Sequence, residues 1–116
     1  MAEPIEGIIT AWIPMTDPHA LALISKLGEE AAELAKACSR ATAQGLDGTS
    51  PAQEGRTNGL EIMREFNDCR AVMQVIGERS TVAEVDTHGR ELEARFWGKA
   101  KGFRKWMALI DEHLAK

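Results

Sequence analysis

The 116-residue chain has no tyrosine, and its aromatic side chains are limited to three tryptophans and three phenylalanines. It has almost no strand-like alternation and few β-branched runs. Its Asn58-Gly59 pair, which elsewhere signals a hairpin, is followed by a helical pattern and not by a second strand. These absences exclude an all-β or α/β reading. No apolar run approaches the roughly 20 residues that a membrane span needs. The start, MAEPIEGIIT, has neither a basic n-region nor a long apolar h-region. The two cysteines, Cys38 and Cys69, lie inside apolar helical patterns and form no C-x-x-C pair, which points to a reducing, cytoplasmic setting. Basic residues are outnumbered, 14 against 18 acidic ones, for a net charge of −4. That balance speaks against a nucleic-acid polymer as partner. His19, His88 and His113 show no zinc spacing and no H-E-x-x-H. The residues three before them are Thr16, Val85 and Ile110, so the Glu-x-x-His pairs of a di-iron or di-manganese bundle are also missing. No G-x-S-x-G surrounds a serine. The chemistry is therefore to be sought among the acids.

What remains is helical. Residues 1–116 suit a single domain, given that domains commonly run to roughly 100–150 residues. The stretch up to Met15 reads as a short helix or an extended packing arm. Asp17-Pro18 is an N-cap followed by proline at the first helical position, and opens a helix to about Arg40. Leu21, Ile24, Leu27, Ala31, Leu34 and Cys38 form its apolar face. Residues 42–57, with Gly45, Gly48, Pro51 and Gly55, read as a loop. Asn58-x-x-Glu61 resembles a capping box and starts a second helix with Ile62, Phe66, Cys69, Met73 and Ile76 on its face, ending from Gly77. After a polar connection from Ser80, a third helix capped near Thr87 carries Leu92, Phe96, Phe103, Trp106, Ile110 and Leu114. The expected fold is all-α, a bundle of three to four main helices. So few helices cover only part of their apolar faces, so a homodimer or homotetramer is expected to complete the core.

The acids are placed against this pattern. With Glu65 at zero on a helical wheel, Ile62, Cys69, Ile76 and Val72 fall within about 60° of it, so Glu65 points into the apolar face. Glu61 and Asp68 lie along the same edge. An ionised carboxylate among aliphatics costs several kcal/mol unless it is paired or binds a cation. The first helix supplies a complement: Glu30 at the edge of its apolar face, Glu33 one turn on, and Glu29 pointing outward. Glu30 and Glu33 are i, i+3 neighbours, as are Glu65 and Asp68, so each pair lies on one side of one turn. Packed antiparallel, the two helices would bring four carboxylates together. Hard divalent ions with oxygen ligands, Mg²⁺ or Mn²⁺, relieve that repulsion. The plain alternative is that Glu65 pairs with an arginine or lysine of the third helix.

The string KLGEEAAELAKA, a Gly-rich loop and then GRTNGLEIMREFNDCRAVM resemble the E-E-x-x-E … E-x-x-D signature of the all-α nucleoside triphosphate pyrophosphohydrolases, the MazG-like group. That superfamily also includes the dimeric dUTPases and dCTP pyrophosphatases. The likeness spans about Leu21 to Ile76 and is closest to the small MazG-like proteins carried by phages, which act in the host cytoplasm. Between Glu33 and Glu65 lie the 31 residues from 34 to 64, long for a compact domain of that group, and the surplus falls in the loop. The resemblance implies a MazG-like four-helix core, and metal ligation by Glu30, Glu33, Glu65 and Asp68 with Glu29 in support. It also implies Mg²⁺-dependent hydrolysis of a nucleoside or deoxynucleoside triphosphate to the monophosphate and pyrophosphate.

Further candidates are Arg56 and Asn58, just before the second helix, and Lys99 and Lys101 on the third, as phosphate or base contacts. Trp12 is a candidate for stacking on a nucleobase. Arg104 and Lys105 extend the basic stretch, while Trp106 lies in the apolar stripe. The competing reading is a non-enzymatic nucleotide-binding or protein-interaction module that uses the same acidic cluster.

Overall fold

The computed structural model describes residues 4–5, 9–10, 16–79 and 82–116, with side chains in the last stretch from residue 88 onward. The chain divides into two compact units, Met1–Glu78 and Arg79–Lys116. Near the start, β1 (Pro4–Ile5) pairs antiparallel with β2 (Ile9–Thr10), so part of the expected arm is a two-residue ladder. The rest is helical: α1 (Pro18–Gln44), α2 (Asn58–Arg79) and α3 (Val82–Leu114). None of these helices is long and apolar enough to cross a membrane.

The start of α1 is the one its letters announce. The Asp17 carboxylate accepts from the backbone N–H of His19 at 3.0 Å, and Pro18 occupies the first turn, where its missing N–H costs nothing. The helix runs to Gln44, about one turn beyond the expected end at Arg40. It stops at Gly45, whose φ of +86° is a conformation that L side chains rarely adopt. The helical pattern of α2 continues through Gly77 to Arg79. Helix α3 begins at Val82, five residues before the expected cap near Thr87, and takes in the polar connection.

The apolar face of α1 differs from the expected one. Residues that lose solvent along it are Ala20, Leu23, Leu27, Leu34, Ala37 and Ala41, with Glu30 in the same row. Leu21 and Ile24 are 44% and 51% exposed, and Cys38 is exposed as well. The helix is apolar over more than one stripe, and the packed stripe holds the alanines, which allow a close approach. The matching row on α2 is Asn58, Glu61, Ile62, Glu65, Cys69, Val72 and Ile76, while Phe66 and Met73 stay about half exposed. The buried positions among the described residues are Ala37, Gln53, Asn58 and Glu61, three of them polar.

Those polar positions belong to the connection between α1 and α2. Asn58 is 1% exposed. Its side-chain amide donates to the Gly45 carbonyl at 2.9 Å and to Gln44 Oε1 at 3.2 Å, and its oxygen accepts from Gln53 Nε2 at 3.1 Å. Its backbone N–H donates to the Gly48 carbonyl, and that of Gly59 to Leu46. Gln53, in a short 3-10 turn at Pro51–Gln53, also donates to the Arg56 carbonyl at 3.0 Å. The expected capping box is therefore not formed as written. Thr57 caps α2 through its hydroxyl, which accepts from the N–H of Leu60 at 3.2 Å, and Asn58 turns back to the end of α1. Gly48 is required by space, because a Cβ there would stand 2.6 Å from the Gln44 carbonyl oxygen.

Replacing Asn58 with alanine strands several buried groups at once, including the Gly45 carbonyl and one donor of Gln53. Orphaned groups of this kind cost about 1–3 kcal/mol. Asn58→Ala is expected to lower the urea midpoint by a corresponding amount with an unchanged slope. A midpoint within experimental error of the parent would show that the loop does not lock the helices.

Candidate metal centre

The connection fixes how α1 and α2 run. Asn58, at the start of α2, touches Gln44 at the end of α1, and further along α2 the carboxylates of Glu65 and Asp68 meet Glu30, nearly four turns back on α1. Contacts that step forward along one helix and backward along the other define an antiparallel pair. Glu30 and Glu65 each sit in the packed row of their helix, where an aliphatic side chain would ordinarily be.

One oxygen from each of Glu30, Glu65 and Asp68 lies within 4.8 Å of the others. Oxygens on opposite sides of one Mg²⁺ are about 4.2 Å apart, at about 2.1 Å from the ion each, so this spacing is within a small rotamer adjustment of a shared cation. The set is all carboxylate oxygen and partly shielded from water. It fits a hard divalent ion and offers nothing to a soft one. Of the four carboxylates expected to converge, Glu33 lies outside this group and forms an exposed ion pair with Lys36 at 3.7 Å. Its charge still acts on Glu65. Glu29 points outward, as expected, and shares Lys26 with Glu30, at 3.4 and 3.6 Å from the ammonium.

Two glutamates one turn apart on α2 have opposite surroundings. Glu61 is held by the Arg56 guanidinium, with Arg64 at 3.9 Å, and these charges keep its carboxyl below the usual range. Glu65 has no basic partner among the described residues. Burial first, and then the charges of Asp68, Glu33, Glu30 and Glu61, push its carboxyl above the ordinary value of 4.5. The arginine or lysine of the third helix that would have neutralised Glu65 is not found there among the described residues.

The other expected contacts separate. Arg56 is engaged by Glu61 and by Glu54, at 3.6 Å, and Asn58 is enclosed in the loop, so both hold the connection together. Lys99 and Lys101 are exposed on α3, in the second unit. Trp12 lies outside the described residues. The Arg56–Glu61 pair was not anticipated from sequence; its one signal was an arginine five residues before an acid that the wheel had turned inward. No family model, curated protein or solved structure matches the chain.

The pH dependence of stability carries a sign that tests this electrostatic arrangement. The folded state holds the Glu65 proton more tightly than the unfolded chain does. The stability from that group is therefore present at low pH and lost as pH rises from the unfolded carboxylate range through the raised value. Glu61 works the other way, and its contribution disappears as pH falls through its lowered value. Without divalent metal, Glu65→Gln is expected to melt above the parent at about pH 7–8, with the difference shrinking toward about pH 4 as the parent's Glu65 takes up its proton. Thermal melts in EDTA across that range measure it. A difference that does not change with pH would mean that charge on Glu65 is not what destabilises the fold.

Proposed function

We propose that the chain hydrolyses a nucleoside or deoxynucleoside triphosphate to the monophosphate and pyrophosphate, using Mg²⁺ or, in its place, Mn²⁺. The observation that carries this reading is the meeting of Glu30, Glu65 and Asp68 between two antiparallel helices, with Glu65 lacking any base among the described residues. Repelling carboxylates at packed positions are costly to keep, and a cation offsets that cost. The E-E-x-x-E … E-x-x-D spacing on these same helices supports placing the chain with the MazG-like superfamily. The same reading includes a four-helix core completed by further copies of the chain, and action in the cytoplasm.

Glu30, Glu65 and Asp68 would hold the ion directly. Glu33, one turn after Glu30, is the fourth ligand that the resemblance implies, and it joins them by giving up its exposed pair with Lys36, which contributes little. Glu29 stands at the rim, where its carboxylate can orient a water or accept its proton. When bound, Mg²⁺ neutralises the triphosphate and lowers the pKa of a bound water, which is how an acidic protein can take a polyanionic substrate. Lys99, Lys101 and Trp12 complete the reading as contacts to phosphate and base.

Release of pyrophosphate and the matching monophosphate from the common NTPs and dNTPs, in Mg²⁺, Mn²⁺ or EDTA, tests the reaction. Turnover is expected with metal and not with EDTA. Glu65→Gln and Asp68→Asn are expected to lower it by about 100-fold or more, the scale of losing one electrostatic stabiliser of a transition state, while helicity is retained. Unchanged turnover in both variants would remove the site assignment. Metal-dependent thermal stabilisation with no turnover on any nucleotide would favour a binding module in place of an enzyme.

A further inference from the structure

We infer that α3 pairs with α3 of a second copy as an antiparallel coiled coil centred on Lys101, an assignment independent of the acidic site. The argument starts from spacing. Gly89, Leu92, Phe96, Lys99, Phe103 and Trp106 follow one another at steps of three and four, and Ile110 and His113 continue the same rhythm. That repeat of seven runs unbroken for more than three heptads, and it is the seam of a coiled coil, not the broader stripe of a helix lying on a globular core.

Nothing among the described residues covers this seam. Leu92, Phe96, Phe103 and Trp106 are 59–63% exposed, and Phe96 has its one ring contact with its neighbour Trp97, edge-on at 5.1 Å. Helix α3 has 33 residues, and a helix of this kind draws its stability from burying an apolar face. Fully covered aromatic side chains bury roughly 150–250 Å² each, so the open apolar surface from Leu92 to Leu114 amounts to roughly 800 Å² per copy, about one partner's share of a standard stable interface.

The direction and register follow from side-chain size. In an antiparallel pair each a position faces a d position of the other helix. Centred on Lys101, Phe96 meets the partner's Trp106, and Leu92 meets the partner's Ile110. Lys99 lies against the partner's Phe103, where its ammonium has an aromatic face to rest on. The smallest seam residue, Gly89, meets the partner's His113. Flanking the axis are Ala100 and Gly102, each opposite its own copy, so the two backbones approach most closely where the side chains are smallest. A parallel pair would instead set Lys99 against the partner's Lys99 in the middle of the seam, two like charges in one layer.

The test uses the full chain with Cys38→Ser and Cys69→Ser, its assembly first compared with the parent by sedimentation equilibrium. An even multiple of 12.7 kDa is expected for both. Ala100→Cys in that background is expected to give a covalent dimer with a short bismaleimide. Leu92→Cys should give none, because in this register the two copies of residue 92 stand 18 residues apart along the axis, about 27 Å. A monomeric mass, a cross-link at Leu92→Cys, or no cross-link at Ala100→Cys would each overturn the assignment. The cross-linking pair reads orientation without altering any of the large aromatic residues.

Discussion

Three carboxylates within reach of one another repel, and two helices left to choose their own alignment would slide until those charges separated. The constraint that prevents this is the alignment of α1 and α2, fixed at the loop by Asn58. One buried amide spans the end of α1, the 3-10 turn and the first turn of α2, and it exchanges hydrogen bonds with all three. A buried polar network of this kind has one satisfactory geometry, whereas an apolar contact tolerates sliding. With Gly45 ending α1 in a conformation suited to glycine and Gly48 leaving no room for a side chain, the start of α2 is placed against the end of α1. From there helical geometry carries the alignment along both rods, and Glu30 arrives at Glu65 and Asp68.

The electrostatics of α2 gain meaning from that alignment. Glu61 and Glu65 are the same residue type, one turn apart, on the same packed row. Glu61 lies beside the loop, so Arg56 can reach it, and its negative charge is matched. Glu65 lies beyond the reach of the loop and is surrounded by carboxylates. Two titratable groups pushed in opposite directions by their surroundings are a mark of assigned roles. Glu61 serves the fold, since its charge closes the connection. Glu65 burdens the fold, and a residue that burdens a fold at a packed position is where function is to be looked for.

Much of this was legible in the letters, and the parts that were not share a physical cause. Asp17-Pro18 announced the start of α1 because a cap is a local device, with its donor two residues away. Glu65 could be turned inward on a wheel because helical period is also local. Asn58 was misread as part of a capping box because its actual partners, Gln44 and Gly45, lie 14 and 13 residues back in the chain, and no local rule joins them. The packed stripe of α1 was set too near Leu21 and Ile24 for a related reason. A helix that is apolar over two stripes offers two inward faces, and the choice depends on what the neighbouring helix brings. Glu33 was expected within the cluster because i, i+3 spacing puts it on the right side of α1, but spacing is silent on which lysine will draw the side chain away.

The exposed stripes bear on how such a chain can be stable. Ala37 is the one hydrophobic residue fully buried among those described, while Phe66, Met73, Phe96, Phe103 and Trp106 keep about half or more of their surface open. The loop network specifies an alignment, yet hydrogen bonds that replace water contacts add only about 1 kcal/mol each, and the ordering of each residue costs at least as much. Burial of apolar surface must supply the rest. In a chain whose largest apolar residues lie on exposed stripes, that burial comes from association, so that folding and assembly are one equilibrium. A strained acidic cluster is then tolerable for a reason separate from any cation: its cost is borne by an assembly that shares its apolar surface among copies, and not by a single chain with a core of one alanine.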